Sequence, residues 1–149
     1  MKRKSWVKKV LFAGLILLII SAGAIWYIFS ERHEDTASVK ADYSTEAIPF
    51  IKEFEKDIKT ANGKYADKII EVTGMVTESE AADTTINIKM ADTTTGSYLI
   101  FAFQQQHLQQ AKRLKAGDKA TIKGSCSDGI FSEILRTYFI SFKRSTLLN

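Results

Sequence analysis

Residues 10–29 form an uncharged run that constrains this chain more than any other feature of its sequence. The run consists of large aliphatic and aromatic residues with a few Ala, Gly and Ser, and 20 residues in a helix span the roughly 30 Å hydrocarbon core of a bilayer. Five Lys and Arg precede the run within residues 1–9. Because Lys and Arg favour the cytoplasmic side, we predict a single-pass anchor in the cytoplasmic membrane. Residues 1–9 then lie in the cytoplasm and the C-terminal domain lies outside it.

A cleaved signal peptide is the alternative interpretation of this run. Ala22-Gly23-Ala24 fits the small-residue cleavage pattern, which predicts a secreted or periplasmic product cut near Ala24. The apolar stretch Ile25–Phe29 continues beyond that point and would be left exposed at the new N-terminus, which favours the uncleaved anchor.

The charge of the chain is unevenly distributed. Its formal net charge is +4, but five of the 21 Lys and Arg precede the apolar run, whereas all 17 Asp and Glu follow it. The part beyond the run is therefore close to neutral. A near-neutral domain argues against strong electrostatic binding of a polyanion, so nucleic acid is not the partner that composition favours.

The part beyond the apolar run has two regions. Residues 30–43 are polar and aperiodic, which predicts a linker. Residues 44–149 have the length and periodicity of one domain. A single cysteine, Cys126, cannot form an intrachain disulfide; we interpret it as a buried strand residue, with pairing to another chain as the alternative.

Periodicity predicts a helix followed by strands. Apolar residues spaced three and four apart predict a helix from Ser44 or Thr45 to Asn62-Gly63, with Pro49 in its first turn. The strand pattern beyond it has Gly74 at a predicted bulge or bend, and a turn at residues 127–129. We predict strands over residues 68–76, 85–90, 98–103, 119–124 and 130–142, a short helix over 104–115, and core positions in the last strand at Ile134, Tyr138, Ile140 and Phe142.

This order of elements is typical of the OB-fold. Three strands, a helix and a returning hairpin are the plan of a five-stranded Greek-key barrel. The predicted class is mainly β with helices: a five-stranded OB-fold barrel preceded by one helix, behind an N-terminal transmembrane helix.

Three segments resemble the tRNA_anti-like family of OB-fold proteins. They are A-x-x-K-Y at residues 61–65, V-x-G-x-V at residues 72–76 and L-x-x-G-x-x-x-x-I-x-G at residues 114–124. The resemblance extends over residues 45–142 and implies the OB-fold, frequently in a bacterial envelope protein. It implies no catalytic residues.

Exposed aromatic and basic residues are the candidates for ligand binding. OB-folds that bind single strands use aromatic stacking backed by cations, and their second and third strands form the usual binding face. We predict that Lys89, Tyr98, Arg136 and Tyr138 bind ligand. Neighbouring candidates are Phe139, Lys123, Lys143 and Arg144, whereas the Lys112-Arg113-Lys115 cluster is interpreted as a solvated helix face.

Sequence motifs for catalysis and metal binding are missing. His33 and His107 have no Cys, Asp or Glu at ligand spacing, and no nucleotide-binding glycine motif or G-x-S-x-G is present. We therefore expect no enzyme activity, cofactor or metal. The expected function is that of a membrane-anchored extracytoplasmic binding module for an envelope protein, peptide or saccharide; the alternative is single-stranded nucleic-acid binding.

Overall fold

The computed structural model describes residues 3–29, 35–82 and 84–149. The chain divides into two compact units, residues 1–34 and 35–149. In the first unit, helix α1 (Arg3–Phe29) contains a 23-residue span, Trp6–Ile28, with a mean hydropathy of 2.3 and no buried residue. By length and composition this span is able to cross a membrane, and a signal sequence would meet the same criteria. The helix begins at Arg3, within the predicted basic segment.

The second unit begins within the predicted linker. Residues 30–34 of that linker lie outside the described residues, but residues 35–42 belong to the folded unit. Thr36 is buried, and the Lys123 ammonium donates hydrogen bonds to the carbonyl oxygens of Ala37 and Val39 at 3.1 and 2.9 Å. Strand β1 (Tyr43–Glu46) follows and pairs in parallel with the next strand of the chain.

Two helices occupy the region in which one was predicted. Helix α2 (Ala47–Lys56) has Pro49 in its first turn, as predicted, and helix α3 is Ile58–Tyr65. The break falls at Asp57, whose backbone is extended (φ −158°) and whose carboxylate caps α3 by accepting from the N–H of Thr60 at 3.1 Å. Asn62 and Gly63 therefore lie inside a helix, and the prediction that they end it was wrong.

The remaining strands form one mixed sheet with β1. The order across the sheet is β1-β2-β6-β7-β5-β4-β3. All neighbouring strands are antiparallel except the pairs β1–β2 and β5–β7. The strands are β2 (Ile69–Met75), β3 (Glu78–Ala81), β4 (Ile86–Ala91), β5 (Tyr98–Phe103), β6 (Lys119–Ser132) and β7 (Thr137–Leu147).

The five-stranded barrel of the sequence prediction is corrected to an open sheet of seven strands. The predicted strands correspond to β2, β4, β5, β6 and β7, and two short edge strands, β1 and β3, were missed. Only Val76 and Thr77 separate β2 from β3, although the two lie far apart in the order, so the sheet is strongly curled. The N–H of Thr77 donates to the carbonyl of Lys89 at 2.8 Å, where β3 begins to pair with β4.

The turn predicted at residues 127–129 was also wrong. Strand β6 continues through these residues with a bulge between Cys126 and Gly129, and the chain reverses at residues 133–136. Gly129 is required where α2 crosses the sheet, because a Cβ there would lie 2.3 Å from the ring of Phe54. The side-chain amide of Asn62 pairs with the backbone N–H and C=O of Gly129 at 2.7 and 2.9 Å.

Gly74 has a similar role in place of the predicted bulge. The β2–β6 ladder is regular from Ile69 to Met75, so no bulge is present. A Cβ at Gly74 would lie 2.6 Å from the Cβ of Ala47. The missing side chain therefore lets the first residue of α2 pack directly on the sheet.

Helix α4 is shorter than predicted. A 3₁₀ turn (Gln105–His107) precedes α4 (Leu108–Ala111), which packs against β4 and β7. Ala111, the last residue of α4, and Leu114, which follows the helix, are buried. Gly117 has a φ of +94°, which L side chains rarely adopt, and leads into β6.

One hydrophobic core lies between the helices and the concave side of the sheet. The predicted inward faces of the second and third strands are confirmed, since all three apolar residues of each are buried. Ile140 and Phe142 are buried as predicted, but Ile134 is 94% exposed. The core contains Phe50, Ile51, Phe54, Ile70, Val72, Ile86, Ile88, Met90, Leu99, Phe101, Phe103, Ile122, Ile140 and Phe142.

Cys126 is a buried strand residue, as predicted. Burial, with a smaller contribution from Asp128 and Asp67, raises the pKa of its thiol to about 12. We expect Ellman's reagent to label the native protein very slowly and the guanidinium-denatured protein at once, because thiolate is the reactive form. Cys126→Ser provides the blank, and equally fast labelling of native and denatured protein would contradict the burial.

Candidate ligand-binding face

The convex side of β4, β5, β7 and the end of β6 brings together the best candidates for ligand contact. Strand alternation decides which residues lie there. Ile88 and Met90 point into the core, so Lys89 between them points outward. In the same way, buried Leu99 and Ile140 leave Tyr98 and Phe139 on the convex side. We call the surface formed by Lys89, Tyr98, Phe139 and Ile130 the aromatic face.

The cation of the aromatic face is neutralised by two carboxylates. The Lys89 ammonium lies 2.6 Å from Glu80 Oε1 and 3.1 Å from Glu78 Oε2, both on β3. The hydrogen bond to Glu80, supported by Glu78, raises the pKa of Lys89 against the effect of partial burial. The same ammonium lies 5.5 Å from the centroid of the Tyr98 ring, close enough for a cation–π contact. Lys89 thus has its charge matched within the protein.

Apolar side chains continue the face across the sheet. Tyr98 and Phe139 are partners in the β5–β7 ladder, and their rings stack with centroids 5.9 Å apart and planes 16° apart. Ile130 is opposite Phe139 in the β6–β7 ladder and is 49% exposed. From β3 to β6 the surface therefore changes from acidic through aromatic to aliphatic.

The β6–β7 connection carries further exposed apolar side chains. We call residues 130–136 the hairpin tip. Ile134 is 94% exposed, Leu135 62% and Phe131 41%. A depression in the tip is lined by Phe131, Glu133 and Arg136. Such clustering of exposed large apolar side chains is typical of an interaction site.

The structure brings two of the four predicted site residues together. Lys89 and Tyr98 are in contact on the aromatic face. Arg136 lies in the turn of the hairpin tip with a φ of 56°. The Tyr138 side chain lies on the other side of β7, where the centroids of its ring and of the Phe131 ring are 4.8 Å apart. Its backbone N–H donates to Ser97 Oγ at 3.2 Å.

Two other basic candidates have hydrogen-bond or ion-pair partners within the protein. Lys123 is buried and holds the residue 35–42 segment, as described above. Lys143 lies 3.5 Å from Asp67 on the surface. Sequence reasoning missed the acidic partners Glu78 and Glu80 and the exposed apolar residues of the hairpin tip. For Glu78 and Glu80 the sequence signal was the alternating Glu-Ser-Glu, which in a strand places both carboxylates on the same side.

His, Cys, Asp and Glu side chains are the groups that hold transition-metal ions in proteins. Within residues 3–29, 35–82 and 84–149, no group of three His, Cys, Asp or Glu side chains is arranged to hold a metal ion. His107 pairs with one carboxylate, Asp35, at 2.8 Å, and this bond lowers the pKa of Asp35. His33 lies outside the described residues.

Comparison with known proteins decides the family. The sequence model of the tRNA_anti-like family matches residues 1–135. The chain belongs to the tRNA_anti-like family. No curated protein sequence matches it.

Several solved structures are similar to this tRNA_anti-like protein. A lipoprotein of Klebsiella pneumoniae, for which nucleic-acid binding has been suggested, aligns with a TM-score of 0.57 and 18% identity over 78% of this chain and 98% of its own. Asparaginyl-tRNA synthetase of Pyrococcus horikoshii has a TM-score of 0.40 and 13% identity over 58% of this chain and 21% of its own. An OBody bound to hen egg-white lysozyme has a TM-score of 0.44 and 15% identity over 58% of this chain and 86% of its own.

Proposed function

We propose that this tRNA_anti-like protein is a non-enzymatic binding module, anchored in the cytoplasmic membrane by residues 10–29, with residues 35–149 outside the cytoplasm. Its ligand is an envelope protein or peptide that docks on the aromatic face and the hairpin tip. The carrying observation is the composition of this surface: exposed Ile130 lies opposite Phe139 of the Tyr98–Phe139 stack, Ile134 and Leu135 are exposed in the turn that follows β6, and the one cation of the aromatic face is neutralised.

The apolar character of the surface supports a protein ligand. Interface cores are enriched in aromatic residues and depleted of charge, and a large side chain that projects from a tip can fill a pocket of the partner. Ile134 and Leu135 have that geometry. A saccharide would also stack on Tyr98 and Phe139, but it would make little use of the aliphatic tip.

The anchor rests on the apolar span and its flanking charges. The span Trp6–Ile28 has 23 residues and a mean hydropathy of 2.3, which suits a membrane-spanning helix. Lys and Arg are concentrated before the span, which favours a cytoplasmic N-terminus.

Single-stranded nucleic acid is the second candidate ligand. The suggestion made for the Klebsiella pneumoniae lipoprotein, together with the stacked Tyr98 and Phe139, favours it. Nucleic-acid affinity depends on cations that are free to neutralise phosphates. Lys89 is already paired with Glu78 and Glu80, and these carboxylates would repel a phosphate backbone.

Site-specific photocrosslinking in intact cells tests the proposal. A photoreactive phenylalanine analogue replaces Ile134 in the full chain, and a matched variant carries it at Leu148, which is also an exposed apolar residue. We expect a discrete protein adduct from position 134 and none from position 148. Combining the probe with Tyr98→Ala and Phe139→Ala is expected to abolish the adduct. Equal adducts from both positions, or an adduct that survives the face substitutions, would contradict docking on this surface.

A further inference from the structure

The segment that follows α4 carries four exposed cations. Lys112, Arg113, Lys115 and Lys119 are exposed, while Ala111, which precedes them, and Leu114, which lies among them, are buried. We call these four residues the basic patch. No ion pair among the described residues involves any of them. The acid within the segment, Asp118, accepts a hydrogen bond from the N–H of Lys115 at 2.8 Å.

This concentration of charge is local to the patch. Residues 35–149 carry 15 Lys and Arg and 15 Asp and Glu, so the folded unit as a whole is neutral. Elsewhere, Lys64 pairs with Glu53 at 3.0 Å and Lys143 with Asp67 at 3.5 Å. The exposed Lys52, Lys56 and Lys59 make no ion pair among the described residues, but Glu53, Glu55 and Asp57 are interspersed with them in the sequence. The basic patch differs in composition, because residues 112–119 contain four cations and a single acid, Asp118.

The patch lies near the N-terminal end of the folded unit. Asp35 is the first described residue of the unit, and its carboxylate is 2.8 Å from the ring of His107. His107 directly precedes α4, and Lys112 follows α4, so roughly five helical residues, or about 8 Å of rise, separate His107 from Lys112. In the sequence, only five residues, 30–34, separate Asp35 from Phe29, the last residue of α1.

We propose that the basic patch binds the anionic phospholipid headgroups of the bilayer in which α1 is anchored. The inference rests on the membrane anchoring given under the proposed function. The short connection through residues 30–34 keeps the N-terminal end of the unit within reach of the headgroups. Clustered Lys and Arg next to a membrane segment are attracted to an anionic surface. Docking at this end leaves the hairpin tip, at the far end of β6 and β7 from the contacts of Lys123 and His107, available to a partner.

Lysine acetylation of the full chain in lipid nanodiscs tests this binding. The protein is inserted in discs of phosphatidylcholine alone or with phosphatidylglycerol, pulsed with an acetylating reagent and analysed by mass spectrometry. Lys112, Lys115 and Lys119 are expected to react at least about threefold more slowly in the anionic discs at low salt, and the protection is expected to vanish at high salt, where the Debye length falls to about 3 Å. The exposed Lys56 and Lys59 serve as internal controls.

Substitution separates a patch-specific effect from a general one. In Lys112→Gln/Arg113→Gln/Lys115→Gln, protection of Lys119 by anionic lipid is expected to be lost. The matched variant Lys52→Gln/Lys56→Gln/Lys59→Gln is expected to retain it. All six residues are exposed, so neither variant should change thermal unfolding.

The possible failures can be told apart. If the full chain does not enter nanodiscs, both the anchoring and the lipid inference fail. If it enters them but the patch lysines react equally in both lipids, only the lipid inference is overturned. Equal protection of the patch by a single-stranded oligonucleotide in phosphatidylcholine discs, with none by phosphatidylglycerol, would also overturn it and assign the patch to nucleic acid.

Discussion

Replacing Glu78 and Glu80 together by glutamine is expected to raise the affinity of the full chain for a single-stranded oligonucleotide about tenfold at low ionic strength. Both carboxylates lie beside Lys89 on the aromatic face. A carboxylate about 6 Å from a phosphate repels it by roughly 0.7 kcal/mol in water. Removing both carboxylates therefore makes the free energy of binding more favourable by about 1.4 kcal/mol, which corresponds to roughly tenfold in affinity. The native protein should bind weakly, since its only cation on this face is paired.

Fluorescence anisotropy with a labelled oligonucleotide, at low and moderate salt, measures this effect. Glu55→Gln/Asp67→Asn is the matched control, because it makes the same change in net charge away from the aromatic face, and Asn tolerates the positive φ of Asp67. The affinity of the control variant for the oligonucleotide should rise less than twofold. Tight, steeply salt-dependent binding by the native protein, unchanged in Glu78→Gln/Glu80→Gln, would show that the carboxylates do not exclude polyanions.

Gly129→Ala is expected to lower the free energy of unfolding by about 1–3 kcal/mol, the usual cost of overpacking a core. The new Cβ would lie 2.3 Å from Cδ1 and 2.5 Å from Cε1 of Phe54, a fully buried ring. The backbone of Gly129 is also held by Asn62. Relief of the contact would therefore require a shift of α2 or of the β6 bulge.

Chemical denaturation of the full chain in detergent measures this change. Gly63→Ala is the control, because a Cβ at Gly63 has nothing within 4 Å and the residue lies in α3; there alanine should stabilise by about 0.5–1 kcal/mol. Phe54→Leu should reduce the penalty of Gly129→Ala, because the two sites are in contact and their effects are not additive. Equal stability of Gly129→Ala and the native protein would contradict the close packing of α2 on β6.

The sequence predicted the elements whose periodicity is set by burial. Strands β4 and β5 alternate strictly, and their bounds and inward faces were recovered almost to the residue. Strand β3 was missed because Glu-Ser-Glu-Ala has no large apolar residue; it forms by pairing its backbone with β4. The position of the last turn was missed because Gly129 resembles a turn residue, although it serves the packing of Phe54.

The candidate site was only partly predictable for the same reason. Alternation places Lys89 and Tyr98 on one face, as expected. The neutralisation of Lys89 depends on β3, which gives no hydrophobic signal, and the exposure of Ile134 depends on where the hairpin reverses. A core position predicted from an apolar residue thus became the most exposed large apolar residue of the hairpin tip. The pairing of His107 with Asp35 joins residues 72 positions apart, which spacing alone does not reveal.

The most direct test of the proposed function is the chemical nature of the photocrosslinked adduct formed at position 134 in intact cells. Our account predicts an adduct that protease removes, that nuclease leaves unchanged in size, and that yields peptides of a second envelope protein by mass spectrometry. An adduct that nuclease shortens would contradict a protein ligand and favour single-stranded nucleic acid on this face.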